Sequence, residues 1–151
     1  MIDFTLDLIP PNKTAQQKGE RIITPKDGSG QYILHYQKAS LADIERAYCT
    51  LLVTHRPPQP LAGFVRCHLT FTWPWLAKHT KKHRAFGWYP HGGKPDWDNA
   101  AKLFCDCLKT VGFFQRDDAQ IFDGRLIKGH GDRPGIRVRL SEWHPGQTLS
   151  S

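Results

Sequence analysis

The sequence predicts an α+β domain in which a small mixed β-sheet is flanked by two main helices. Three observations carry this. From Phe64 to Trp73 the chain alternates without a break: Val65, Cys67, Leu69, Phe71 and Trp73 face one way, and Arg66, His68, Thr70 and Thr72 the other. Two stretches, Leu41 to His55 and Ala100 to Val111, repeat apolar residues at helical spacing. The resulting order of strand, helix, strand, helix, strand, strand fits into 151 residues, enough for one core but not two.

Each element has a local reason. Phe4-Thr5-Leu6-Asp7-Leu8 alternates and reads as a half-buried strand that stops at Pro10-Pro11. Asn12 to Gly30 reads as a polar loop closed by the flexible Asp27-Gly28-Ser29-Gly30. Ser40 is the expected N-cap of the first helix, with Asp43 three positions on. Leu41, Ile44, Tyr48, Leu51, Leu52 and His55 share one face, and Pro57-Pro58 ends the helix. The second helix carries Ala100, Leu103, Phe104, Cys107, Leu108 and Val111 inward and ends at Gly112. Gln120 to Lys128 and Ile136 to Leu140 read as the last two strands. The domain is expected to span residues 1–142, with 143–151 a polar, frayed tail.

Composition narrows the function. Lys and Arg number 21 against 14 Asp and Glu, a formal charge of +7, which favours a polyanionic partner. Hydrophobic content of 39% argues against disorder, and no 18-residue apolar run exists to span a membrane. The N-terminus carries acids where a signal peptide would carry Lys or Arg, so the expectation is a soluble, cytosolic protein. Cys49, Cys67, Cys105 and Cys107 lack zinc-finger spacing and read as buried thiols of a reducing compartment. Between Leu76 and Lys94 lie Lys78, Lys81, Lys82, Arg84 and Lys94 and not one acid. This segment reads as a basic loop contacting phosphates, with Trp88 or Tyr89 stacking on an unpaired base. The alternative is a solvated loop with its aromatics tucked beneath. In the second case the nucleic-acid face would move to Arg137 and Arg139 or to the Lys13–Lys26 loop. His79, His83 and His91 are irregularly spaced and read as surface residues.

The chemistry concentrates in Lys94-Pro95-Asp96-Trp97-Asp98-Asn99-Ala100-Ala101-Lys102. Its acids sit at a helix N-terminus, where aligned peptide dipoles favour the ionised form. Lys102 lies one turn after Asp98 on the same face. A second acidic pair, Asp117-Asp118, follows that helix, which is roughly 20 Å long, so the two pairs are free to meet but not obliged to. Helix capping accounts for one of Asp96 and Asp98, a turn for Asp117-Asp118, and an i,i+4 ion pair for Lys102. Convergence is the other reading. Two carboxylates 4 Å apart repel by about 4 kcal/mol at an effective dielectric of 20, so a cluster persists by taking up a proton or a cation. Oxygen ligands without His or Cys suit Mg²⁺ or Mn²⁺, and in a basic protein the matching substrate is a phosphodiester.

Taken together, Pro95-Asp96-Trp97-Asp98-Asn99, Lys102, Asp106, Asp117-Asp118-Ala119-Gln120-Ile121 and the later Lys128 resemble the RusA family of Holliday junction resolvases. The match is clearest from Lys94 to Lys128, and the element order follows it over most of the chain. The resemblance implies a RusA-like fold and a homodimeric, Mg²⁺-dependent endonuclease that nicks paired strands of four-way junctions in DNA recombination and repair. It places metal ligands at Asp96, Asp98 and Asp118, with Asp117 as the adjacent alternative, and the essential lysine at Lys102. Lys13, Lys78, Lys81, Lys82, Arg84, Lys94 and Lys128 are the expected DNA contacts. The setting it implies is a bacterial cytoplasm, with a chromosomal, prophage or phage gene. The stretch from Asp96 to Asp118 is one residue longer than the family pattern, and the Leu76–Lys94 segment is longer and more aromatic. A nuclease preferring forks or flaps, and a DNA-binding module without catalysis, are the rival readings.

Overall fold

The computed structural model describes residues 1–12, 18–37 and 39–148. The chain opens with β1 (Ile2–Leu6), two residues earlier than the alternation suggested. Its pairing ends with Leu6 opposite Ile136, one residue from the start of its partner strand. Within the expected Asn12–Gly30 loop the chain instead forms β2 (Lys18–Ile23), which pairs in a hairpin with β3 (Tyr32–Gln37) just beyond it. Ile22 and Ile33, which pair with each other, are exposed, so the face they share lacks the burial that makes alternation visible. The turn residues were informative: Asp27 accepts hydrogen bonds from the Ser29 backbone N–H and hydroxyl.

Helix α1 (Ala39–Val53) starts before Ser40, which therefore lies in the first turn rather than at the N-cap; the capping position, residue 38, lies outside the described residues. It buries Leu41, Tyr48 and Leu52. His55, beyond the helix end, stacks flat on Phe4 with ring centroids 4.2 Å apart. Strand β4 (Phe64–Trp73) has the expected bounds and buries its five odd-numbered residues.

The basic segment is more structured than a loop. It holds a one-turn helix, α2 (Lys81–Ala85), and a short edge strand, β5 (Trp88–Pro90). Helix α3 (Trp97–Val111) is closed by Gly112, whose left-handed φ of 93° lets its N–H reach the Leu108 and Lys109 carbonyls. A 3-10 turn, Asp118–Gln120, leads into β6 (Ile121–Gly131), followed by β7 (Gly135–Trp143). Thus β7 runs to the first residue of the expected tail, and Arg66 donates to the Thr148 carbonyl beyond it.

The five strands of the main sheet are ordered β1-β7-β4-β6-β5; β4 and β6 run parallel and every other neighbour is antiparallel. Between the Val65–Ile121 and Arg66–Asp123 pairs the register shifts, leaving Phe122 as the extra residue of a bulge. Helices α1 and α3 cover one face of the sheet, where Phe104 packs edge-on against Tyr48 (5.0 Å) and Phe71 (5.7 Å). The opposite face is polar and partly open. All four cysteines are free; Cys67 and Cys107 are buried, Cys49 and Cys105 only partly. Among the described residues no helix is long and apolar enough to cross a membrane.

Candidate active site

The start of helix α3 is fixed by three hydrogen bonds involving β6. Lys128 donates to the Gly93 carbonyl (2.7 Å) and to the Pro95 carbonyl, and Trp97 Nε1 donates to the Leu126 carbonyl (2.7 Å). Burial, with Lys94 adding to it and Asp96 opposing it, holds the Lys128 ammonium below its usual range. Lys128 was expected at phosphate; here its ammonium is engaged with backbone carbonyls. It ties down the turn that delivers the acids.

Asp96 occupies the N-cap position in extended backbone but makes no capping bond. Its two oxygens accept instead from Lys94 Nζ at 2.7 and 2.8 Å. Asp98 is exposed in the first turn. Asp98, Lys102 and Asp106 then recur every four residues, one row along α3. Asp106, quoted in the motif but given no role, is half-buried. Burial and the nearby Asp118 raise its carboxyl above the usual range, with Lys102 pulling the other way. The i+4 step from Lys102 was the sequence signal that could have singled it out.

The second acidic pair divides its work. Asp117 Oδ1 caps the 3-10 turn by accepting the Ala119 N–H at 2.9 Å. Asp118 is left to line a cleft of about 330 Å³ together with Lys102. Trp97, Ala101 and Cys105 form the α3 wall of that cleft, and Cys67, Leu69 and Leu126 contribute from the sheet. The buried Gln120 holds the turn in place. Its Nε2 donates to the Leu61 (2.9 Å) and Gly63 (2.8 Å) carbonyls, and its Oε1 accepts the Arg116 N–H (2.7 Å).

The structure therefore brings Lys102 and Asp118 onto one cleft with Asp106 beside them and Asp98 a turn away. Asp96 is turned towards Lys94. Among the described residues no three His, Cys, Asp or Glu side chains stand close enough to share a metal ion. The donor chemistry nevertheless fits a hard cation. The neighbouring Cys67 thiol and burial push the Cys105 thiol upward, so it stays protonated, and carboxylate oxygens are the anionic donors left.

The basic segment projects Lys78, Lys81, Lys82 and Arg84 into solvent; Lys13 lies outside the described residues. Thr80 and His83 form a reciprocal cap on α2, and Arg84 donates to the His79 and Leu76 carbonyls (both 3.4 Å). Trp88 and Tyr89, the expected stacking residues, are half-buried. Trp88 lies on Gly129, where an added Cβ would come within 1.9 Å of the ring, and Tyr89 packs on His83 at 4.6 Å. The exposed aromatic is Phe86, at 69%. Of the three histidines expected at the surface, His79 is buried, while His83 and His91 are partly exposed. His79 and His130 are 7% and 3% exposed with rings 4.6 Å apart, and His91 lies 4.6 Å from His130. Arg137 and Arg139 lie on the open sheet face, where Asp3 pairs with both (2.9 and 3.6 Å).

A protein-family model described as Endodeoxyribonuclease RusA matches residues 9–141, which takes in the cleft, the basic segment and all of the main sheet except β1 and the end of β7. No curated protein matches the chain.

Proposed function

The chain belongs to the RusA family of endodeoxyribonucleases, and on that premise we propose that it resolves Holliday junctions as a homodimer, nicking two opposed strands with Mg²⁺ at each site. The observation that supports this reading most directly is Lys102 facing the same cleft as Asp118, with Asp98 on the same helix row. A bound Mg²⁺, or Mn²⁺ in its place, supplies an acidified water and neutralises charge gathering on the phosphate. Asp98 and Asp118 would hold it, and Asp96 would join after leaving Lys94. That exchange is cheap, because an exposed ion pair is worth only about 0–1 kcal/mol. Asp117, spent on its cap, is the poorer ligand of the acidic pair.

Lys102 would place its ammonium on a non-bridging or leaving oxygen of the phosphate, or orient the attacking water. A two-fold dimer matches a four-way substrate, with one site for each opposed strand. Lys78, Lys81, Lys82 and Arg84 would hold the arms by their phosphates, and Phe86 takes over the stacking role first assigned to Trp88 and Tyr89. Such a protein would act in a bacterial cytoplasm.

Asp98→Asn and Asp118→Asn are expected to bind a synthetic four-way junction within a few-fold of wild type and to leave it uncut in Mg²⁺. Undiminished cleavage by either variant would remove that residue from the site. Cutting forks, flaps and linear duplex in parallel tests whether the junction is the preferred form.

A further inference from the structure

We propose that the cleft between α3 and the sheet receives an unstacked nucleobase from the strand being cut. This rests on the nuclease reading and deepens it by assigning a base-binding subsite next to the phosphodiester. The cleft differs from its charged surroundings: Leu69, Leu126 and Ala101 make it mainly apolar, while Lys102, Asp118 and Arg125 supply charge. That combination suits a flat heterocycle carrying a phosphate at its edge better than it suits phosphate alone. About 330 Å³ falls within the range of small-ligand sites.

Trp97 provides the stacking wall. It stands between two of the candidate ligands, is 52% exposed, and is held through Nε1 to the Leu126 carbonyl at 2.7 Å. An indole anchored at its polar edge leaves its π-face available to a base and loses little freedom on binding. Proximity selects the occupant. Lys102 and Asp118 line the cleft, so the nucleotide whose phosphate they engage is the one whose base reaches it. At a branch point that base lacks a full set of stacking neighbours, which lowers the cost of turning it out.

The test uses the full-length protein and four-way junctions without divalent cation, read by fluorescence anisotropy. At each position around the branch point, two junctions are compared. One keeps the base and carries an abasic nucleotide opposite; the other carries the abasic nucleotide at the position itself. Both lack the base pair, so their difference reports contact with the base. At one position on each cut strand the base-retaining junction is expected to bind about tenfold tighter. Ala101→Leu, which fills the cleft, should bring that ratio to about one while leaving affinity for the abasic junction within a few-fold. Trp97→Leu should reduce the ratio and Trp97→Tyr largely restore it, a comparison that stands even if Ala101→Leu fails to fold. A ratio near one at every position in the wild type overturns the subsite while leaving junction binding intact. So does a ratio unchanged in both Ala101→Leu and Trp97→Leu, or an Ala101→Leu protein that loses its dimer in sedimentation with the ratio unaltered, which would give the cleft to a second copy. Failure to bind any junction overturns the nuclease reading itself.

Discussion

Gln120 shows how one side chain can set a site without touching substrate. It satisfies two carbonyls ahead of β4 and one N–H ahead of the 3-10 turn, so the turn carrying Asp118 is tied to the centre of the sheet. Gln120→Leu keeps the volume and deletes all three bonds. It should cost about 2 kcal/mol in urea unfolding and lower cleavage by more than the folded fraction explains. The Gln was visible in the sequence as part of a motif, but its purpose was not, because two of its three partners, the Leu61 and Gly63 carbonyls, lie almost sixty residues away. The same limit applied to Asp117 and Asp118. Their adjacency was legible, and only the Ala119 N–H separates the capping acid from the one that faces the cleft.

The elements that the sequence disclosed best are those with one buried face. Strand β4 and helix α3 were readable because water and core impose opposite demands on alternate positions or turns. The hairpin β2–β3 and strand β5 were not, since Ile22 and Ile33 of the one lie exposed and the other is only three residues long. Yet β5 matters, because it carries Trp88 across Gly129. Gly129→Ala should displace that ring and cost about 1–3 kcal/mol in the unfolding free energy, with junction affinity falling as the basic segment loosens. The imidazoles packed beside β5 respond to acid. Burial, then the neighbouring His130, holds the His79 and His91 rings below their usual value of 6.5; Lys78 opposes protonation of both, with His83 and Arg84 acting on His79 and Lys128 on His91. The unfolded chain therefore takes up protons first as pH drops through 6.5. Stability contributed by these neutral rings is complete above that value and is lost below it, as pH falls towards their folded values. Melting curves between about pH 8 and pH 5 should show this loss, and His79→Gln should flatten it.

At the scale of the whole molecule, a charge of +7 pointed to a polyanion without locating its surface. The fold concentrates exposed cations on and around α2, while Asp3 holds Arg137 and Arg139 on the open face of the sheet. Replacing Lys78, Lys81, Lys82 and Arg84 together should flatten the dependence of junction affinity on salt by about 0.9 log unit for each phosphate that is no longer neutralised. An unchanged slope would move the DNA surface elsewhere. The acids were legible as types and spacings, the helix row from Asp98 to Asp106 included, but the diversion of Asp96 to Lys94 and the approach of Asp118 to Lys102 are properties of three-dimensional placement.

The parallel pairing of β4 with β6 has an evolutionary corollary. Parallel neighbours need an excursion of the chain between them, and here that excursion, Pro74 to Gln120, contains the grip, the acids and the lysine. Strand β5 pins the excursion to β6 at Trp88–Pro90, but the stretch before it is no part of the ladder, and doubling a flexible loop costs only about 0.6 kcal/mol in closure entropy. Residues can thus be gained or shed between Trp75 and Gly87 while the cutting apparatus keeps its footing, which lets the size of the embraced DNA drift independently of the chemistry performed on it.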